Sequence, residues 1–107
     1  MFVHPDPALA KELLPGIKKT NLVLTPNLMM VMFEIKAGAE MPLHKHKHEQ
    51  VGYILAGSFN FTIGGITKEL SSGDSYSVKS NILHGATAIK DGKLVDVFYP
   101  HREDYYE

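Results

Sequence analysis

The segment Gly38-Ala39-Glu40-Met41-Pro42-Leu43-His44-Lys45-His46-Lys47-His48-Glu49-Gln50, closed seven residues later by Gly57, holds the most chemically capable residues of the chain. On an extended backbone His44 and His46 point the same way. An oxygen-bearing side chain just downstream can then complete one side of a metal's coordination shell. A later segment, running from Gly73 through Asp74, Ser75 and Tyr76 to His84, brings a further imidazole. With no cysteine in the chain, any metal must be held by nitrogen and oxygen donors. The competing interpretation is a solvated polar loop, because Lys45, Lys47 and Glu49 interleave with the histidines and short His-rich tracts often bind metal incidentally. Gly38 and Gly57 weigh against it, as both mark a tight approach or a turn around the cluster. The three histidines of the tract, His44, His46 and His48, compete for two or three ligand roles, while His4 and His101 stand apart from it.

These groups need rigid elements to hold them. The chain has 107 residues, 44% hydrophobic and 21% charged, with a formal net charge of -1, which fits one globular domain spanning 1–107 with one core. No basic excess points to nucleic acid or an anionic membrane. No apolar run reaches the ~20 residues that span a bilayer, and Met1-Phe2-Val3-His4-Pro5 lacks the regions of a signal peptide, so a cytoplasmic location is expected. Asp6 is placed to cap a short helix over Pro7 to Leu14, which Pro15-Gly16 ends. Beyond it the pattern has period two, and strands are expected over 17–24, 29–36, 50–56, 58–63, 66–70, 75–79, 84–90 and 94–99. Turn signals separate them at Pro26-Asn27, Gly57-Ser58, Gly64-Gly65, Ser72-Gly73-Asp74 and Asp91-Gly92, the Gly-Gly and Asp-Gly pairs favouring tight primed turns. The fold class is therefore all-β, a sandwich or barrel with a short N-terminal helical or irregular segment. Leu28 to Ile35 is apolar on both faces, so something besides the core should cover it, either a second subunit or the N-terminal segment.

In Leu94-Val95-Asp96-Val97-Phe98-Tyr99, period two puts Asp96 and Phe98 on one face and the two valines with Tyr99 on the other. Asp96 lies either on a solvated face or in the interior, where a raised pKa would suit a general acid or base. Arg102 can fold back over the opening, its planar fork matching a carboxylate, or pair at the surface with Glu103 or Asp104.

Gly38, His44, His46, Gln50 and Gly57 resemble the first motif of the cupin superfamily, with glutamine where an acid is usual. Gly73 and His84 resemble the second motif. Lys79, Asn81 and Ala88 depart from it, at positions that shape a turn. The resemblance implies a jelly-roll β-barrel with one metal in its mouth, held by His44, His46, Gln50 and His84. The runs His48-Glu49-Gln50-Val51-Gly52-Tyr53, Gly73-Asp74-Ser75-Tyr76, Asp96-Val97-Phe98 and Arg102-Glu103-Asp104-Tyr105 look like the small pectin-degradation cupins. That likeness implies a metal-dependent enzyme that turns 4,5-unsaturated uronate monomers into open-chain keto sugars. Asp96, Phe98 and Arg102 would be its functional side chains, a small carboxylated sugar its substrate, and a homodimer its assembly. The cofactor expected is one divalent transition metal ion, Ni, Zn, Mn or Fe. Because Gln50 is neutral, the site keeps the bare ion's charge and is tilted toward Lewis-acid work. The alternatives are a metal-dependent dioxygenase of a small organic substrate and a non-catalytic cupin that binds a sugar or other small ligand.

Overall fold

A computed structural model describes residues 1–105, and within them ten strands form two antiparallel sheets. The strands are β1 (Lys11–Leu14), β2 (Ile17–Leu24), β3 (Met29–Ile35), β4 (Glu40–His44), β5 (Glu49–Ala56), β6 (Ser58–Ile63), β7 (Ile66–Ser71), β8 (Ser75–Val78), β9 (His84–Ala88) and β10 (Gly92–Tyr99). One sheet runs β1-β2-β3-β10-β5-β8 and the other β4-β9-β6-β7. Together they make the all-β barrel expected from the strand and turn pattern, in the jelly-roll form that the cupin resemblance implies, with ten strands where eight were expected. No helix among the described residues is long and apolar enough to cross a membrane.

Alternation drives the layering. In β3, Met29, Val31, Phe33 and Ile35 are buried while the residues between them are half-buried, and in β10 Gly92, Leu94, Asp96 and Phe98 face inward. With Ile17, Ile54, Phe59, Phe61 and Ala88 these apolar residues fill the space between the sheets. Each fully enclosed side chain such as Phe59 or Ile54 contributes about 1.5–3 kcal/mol through burial alone. Gly64 and Gly65, with φ of 57° and 83°, make the expected tight turn between the paired residues Ile63 and Ile66.

Four expectations are corrected. The helix over Pro7 to Leu14 stops after a single 3-10 turn at Pro7–Leu9. Asp6 does cap it, accepting from the Ala8 amide at 3.0 Å. Lys11–Leu14 instead forms a hairpin with β2 around Pro15 and Gly16, whose φ of 78° suits the turn, and pairing to an existing sheet outweighs the propensity of one short helix. A further strand, β4, is masked in the sequence because it contains Pro42. It sits at a sheet edge, where a residue without an amide hydrogen is tolerated. Asp91-Gly92 is no tight hairpin, since β9 and β10 belong to different sheets. Gly92 serves close packing, as a Cβ there would come within 2.5 Å of Phe59. Finally, the N-terminal segment does not cover the outer face of β3. Residues 1–9 are exposed, β1 extends the sheet sideways, and Met30, Val51, Tyr53, Val95 and Val97 line an open groove.

Candidate metal centre

His44 is the last residue of β4 and lies opposite His84, the first residue of β9, with ring centroids 4.3 Å apart. His46 lies in the loop that follows β4, with its ring 4.8 Å from His84. One ligand nitrogen from each imidazole lies within 4.8 Å of the others. The later strand comes to the loop because the turn before it is buckled on. The Asn81 amide donates to the His46 carbonyl at 2.8 Å, and the Ser80 hydroxyl donates to the Lys47 carbonyl at 2.6 Å. Asn81 has a φ of 62°, the left-handed conformation that asparagine tolerates better than most residues, so its departure from glycine in the second motif preserves the turn.

Each imidazole is oriented by a main-chain carbonyl. Nδ1 of His44 meets the Pro42 carbonyl at 2.8 Å, Nδ1 of His84 the Ile82 carbonyl at 2.8 Å, and Nδ1 of His46 the His48 carbonyl at 3.0 Å. A carbonyl only accepts, so each Nδ1 carries the hydrogen and each Nε2 offers a lone pair, the arrangement that fixes metal-binding histidines. Burial, helped by Arg102 and the adjacent imidazoles, pushes the His46 pKa down to about 4, and burial lowers that of His84 as well. Both rings are therefore neutral at neutral pH. His48 contributes its carbonyl to this arrangement, and its own ring stands 5.4 Å from that of His46.

Gln50 lies on β5 and lines the same cavity as His44 and His84. Its Nε2 donates to Asp96 Oδ2 at 3.3 Å, and Asp96 Oδ1 accepts a short hydrogen bond from the Tyr76 hydroxyl. Among the described residues four buried side-chain atoms, His46 Nε2, His84 Nε2, Gln50 Oε1 and His48 Nδ1, are left without a hydrogen-bond partner. Orphaned acceptors such as the Nε2 atoms of His46 and His84, which lie in one cluster with His44, are costly unless something electropositive satisfies them. Three neutral imidazole nitrogens and an amide oxygen suit a divalent first-row ion, so the residues fit the metal that the fold implies.

The space beside these atoms is about 40 Å³, and its walls include His44, Gln50, Tyr76, His84, Asp96, Phe98 and Arg102. A larger groove of about 660 Å³ lies at the other end of β5 and β10, between Lys18, Lys36 and Lys93 and acidic partners such as Glu34. That groove offers balanced surface charge, with Lys93 and Glu34 3.5 Å apart, whereas the small cavity has the unsatisfied acceptors Gln50 Oε1 and His84 Nε2 in its lining residues. Asp96 faces the interior, 5% exposed, and burial raises its pKa to about 7 against the lowering effects of Tyr76 and Arg102. Burial and the neighbouring Asp96 raise the Tyr76 phenol well above its ordinary value, which keeps it a donor. Arg102 forms one of the two ion pairs expected for it, with Asp104, while lying against Phe98. Its guanidinium is buried over the Phe98 ring, 5.3 Å from the centroid, and also holds Asp104 as a fork, Nη2 to Oδ2 at 2.7 Å and Nε to Oδ1 at 3.2 Å. Phe98 is only 1% exposed, with the His46 ring edge-on at 6.0 Å.

Tyr76 and Gly52 are the residues that sequence reasoning passed over. The available signal was an isolated glycine within the alternating strand Glu49–Ala56, which marks a close approach.

A family model described as a cupin domain matches residues 31–98, a span that contains His44, His46, Gln50, His84, Asp96 and Phe98. The chain belongs to the cupin family. This cupin is 38% identical over 97 residues to a pectin degradation protein, KdgF, of Dickeya dadantii, an alignment covering 89% of this chain and 88% of that protein. Among solved structures it resembles KdgF from a Halomonas species, with a TM-score of 0.86 and 34% identity over 89% of this chain and 88% of that one. An RmlC-like cupin from Shewanella frigidimarina superposes with a TM-score of 0.87 and 36% identity, covering 90% and 86% of the two chains.

Proposed function

We propose that this cupin is a metal-dependent enzyme that converts 4,5-unsaturated uronate monomers into open-chain keto sugars. The observation that carries the proposal is the clustering of the His44, His46 and His84 ligand nitrogens within 4.8 Å of one another, beside a cavity that His44, His84, Gln50, the buried Asp96 carboxyl and the buried Arg102 line. The 38% identity to a protein named for pectin degradation supports the sugar class. A divalent transition ion held by His44, His46, Gln50 and His84 would supply Lewis-acid polarisation of a substrate oxygen.

The remaining work falls to the chain's own groups. Opening the ring and forming the ketone is a net isomerisation, so a proton leaves a hydroxyl, another is added at carbon, and no oxidant is consumed. Asp96, with a pKa of about 7, can take up and release a proton near neutrality. Arg102 already grips a carboxylate, that of Asp104, in the two-bond geometry a uronate carboxylate also fits. A cavity of about 40 Å³ is smaller than a sugar, so the substrate ring would lie across the mouth. Phe98 would then meet it once Arg102 lifts from the aromatic face. In the same reading, a second copy covers the apolar outer groove of Met30, Val51, Tyr53, Val95 and Val97, giving a homodimer that sedimentation would detect.

The test is to load the purified protein with Mn, Fe, Ni or Zn in turn and follow the ultraviolet absorbance of an unsaturated uronate without oxygen. Metal-dependent bleaching that proceeds anaerobically is the expected result. Bleaching no faster than the enzyme-free rate with every metal overturns the uronate assignment.

A further inference from the structure

Gln50 differs from the three histidines in what orients it. A cation requires the amide oxygen rather than the amide nitrogen, and at Gln50 that choice is made by a carboxylate. With Nε2 donating to Asp96 Oδ2 at 3.3 Å, the opposite orientation would set Oε1 against a carboxylate oxygen. Asp96 is in turn held at its other oxygen by the Tyr76 hydroxyl. That contact exists because of Gly52. In the sheet register, Gly52 of β5 faces Tyr76 of β8 on one side and Asp96 of β10 on the other. A Cβ on Gly52 would overlap Tyr76 Cζ and Oη and Asp96 Oδ1, so only glycine lets the phenol cross the strand to the carboxylate. Phe61 backs the phenol ring from 4.4 Å.

We propose that Tyr76, Gly52 and Asp96 form a brace that presents the amide oxygen of Gln50 to the metal and holds the centre's compensating negative charge just behind the coordination shell, on Asp96. Tyr76 and Gly52 act as positioning residues. Gln50 and Asp96 then work as one unit, an amide ligand backed by a carboxylate, in place of a carboxylate ligand. Gln50→Glu alone would put two carboxylates in contact. Combined with Asp96→Asn, it would restore an amide–carboxylate pair with the roles exchanged, the new amide donating to the new carboxylate and its oxygen still accepting from Tyr76.

This inference rests on the metal part of the proposed function and not on the uronate. The experiment is accordingly a double-mutant cycle on metal affinity, with Mn²⁺ titrated into metal-free protein by calorimetry for wild type, Gln50→Glu, Asp96→Asn and the double variant. The Gln50→Glu change should improve affinity at least about tenfold more when made on top of Asp96→Asn than when made in the wild type, as expected for contacting residues. Equal effects in the two backgrounds overturn the brace while leaving the metal centre standing. Failure of wild type to bind Mn²⁺, Ni²⁺, Zn²⁺ or Co²⁺ overturns both. Tyr76→Phe keeps the ring but loses the donor, and should weaken Mn²⁺ binding about tenfold. It should also alter the visible absorption of the Co²⁺-loaded protein, which reports the ligand set. Phe61→Leu, a packing change on the other side of that ring, should leave the Co²⁺ spectrum as in wild type. If Tyr76→Phe leaves both spectrum and affinity unchanged, or Phe61→Leu shifts the spectrum equally, Tyr76 is a packing residue and the proposal fails.

Discussion

The two halves of the candidate metal centre are held in different ways. On the side of β4, its following loop and β9, each imidazole is fixed by a carbonyl two residues away in sequence, Pro42 for His44, His48 for His46 and Ile82 for His84. On the side of β5, β8 and β10, Gln50 is fixed by Asp96, 46 residues distant, and Asp96 by Tyr76, 20 residues distant. The first half is oriented by local backbone geometry and survives small movements of the sheets. The second depends on three strands lying in register with a glycine between two side chains that must touch. It follows that imidazole donors should tolerate distant packing changes and the amide donor should not.

The largest effect should come from removing a donor outright. His84→Ala is expected to weaken divalent-metal binding by about 100-fold or more, beyond what loss of an orienting partner alone costs. Equilibrium dialysis against Mn²⁺ measures it, and unaltered affinity would show that the imidazole half is not a metal site at all. Next, Gly52→Ala tests the register-dependent half, because its new methyl group overlaps Tyr76 and Asp96. A loss of about 1–3 kcal/mol of folding stability, typical of overpacking, is expected in urea denaturation of the metal-free protein. Weaker metal binding should accompany it, whereas the same substitution at exposed Gly65, which has open space around it, should leave affinity intact.

The smallest expected effect is on pH dependence, and it separates the halves by sign. Asp96 has its folded pKa raised from 3.8 to about 7, so its contribution to stability is present below pH 3.8 and is lost as pH rises toward 7. His46 has its folded pKa lowered from 6.5 to about 4, so its contribution is present above pH 6.5 and is lost as pH falls toward 4. In wild type the two oppose each other across that window. Asp96→Asn removes only the loss on the alkaline side, so the melting temperature of the metal-free variant should rise relative to wild type between pH 4 and 7. A constant difference across that range would mean that the carboxyl is not desolvated in the folded protein.

Much of the architecture can be read from local pattern. Residues 17–24 and 58–63 are strands with the expected ends, because alternation and turn residues there agree with the tertiary pairing. Lys11–Leu14 defeats local reading, since its helical signals are weaker than a hairpin partner that only the folded sheet supplies. Glu40–His44 is hidden by Pro42 for the complementary reason, that an edge position forgives what an interior strand would not. At β10, period two correctly sets Asp96 and Phe98 on one face, but whether that face is solvated or interior depends on the opposing sheet.

The sequence by itself determined the imidazole donors, their spacing and the glycines that turn the chain around them, because the forces that orient those rings act over two residues. Only the tertiary structure decided that Asp96 is buried against Gln50, that Tyr76 reaches it across Gly52, and that Arg102 lies on Phe98 while gripping Asp104. Those contacts join strands far apart in sequence, and their geometry is set by sheet register and burial, quantities that exist only once the chain has folded.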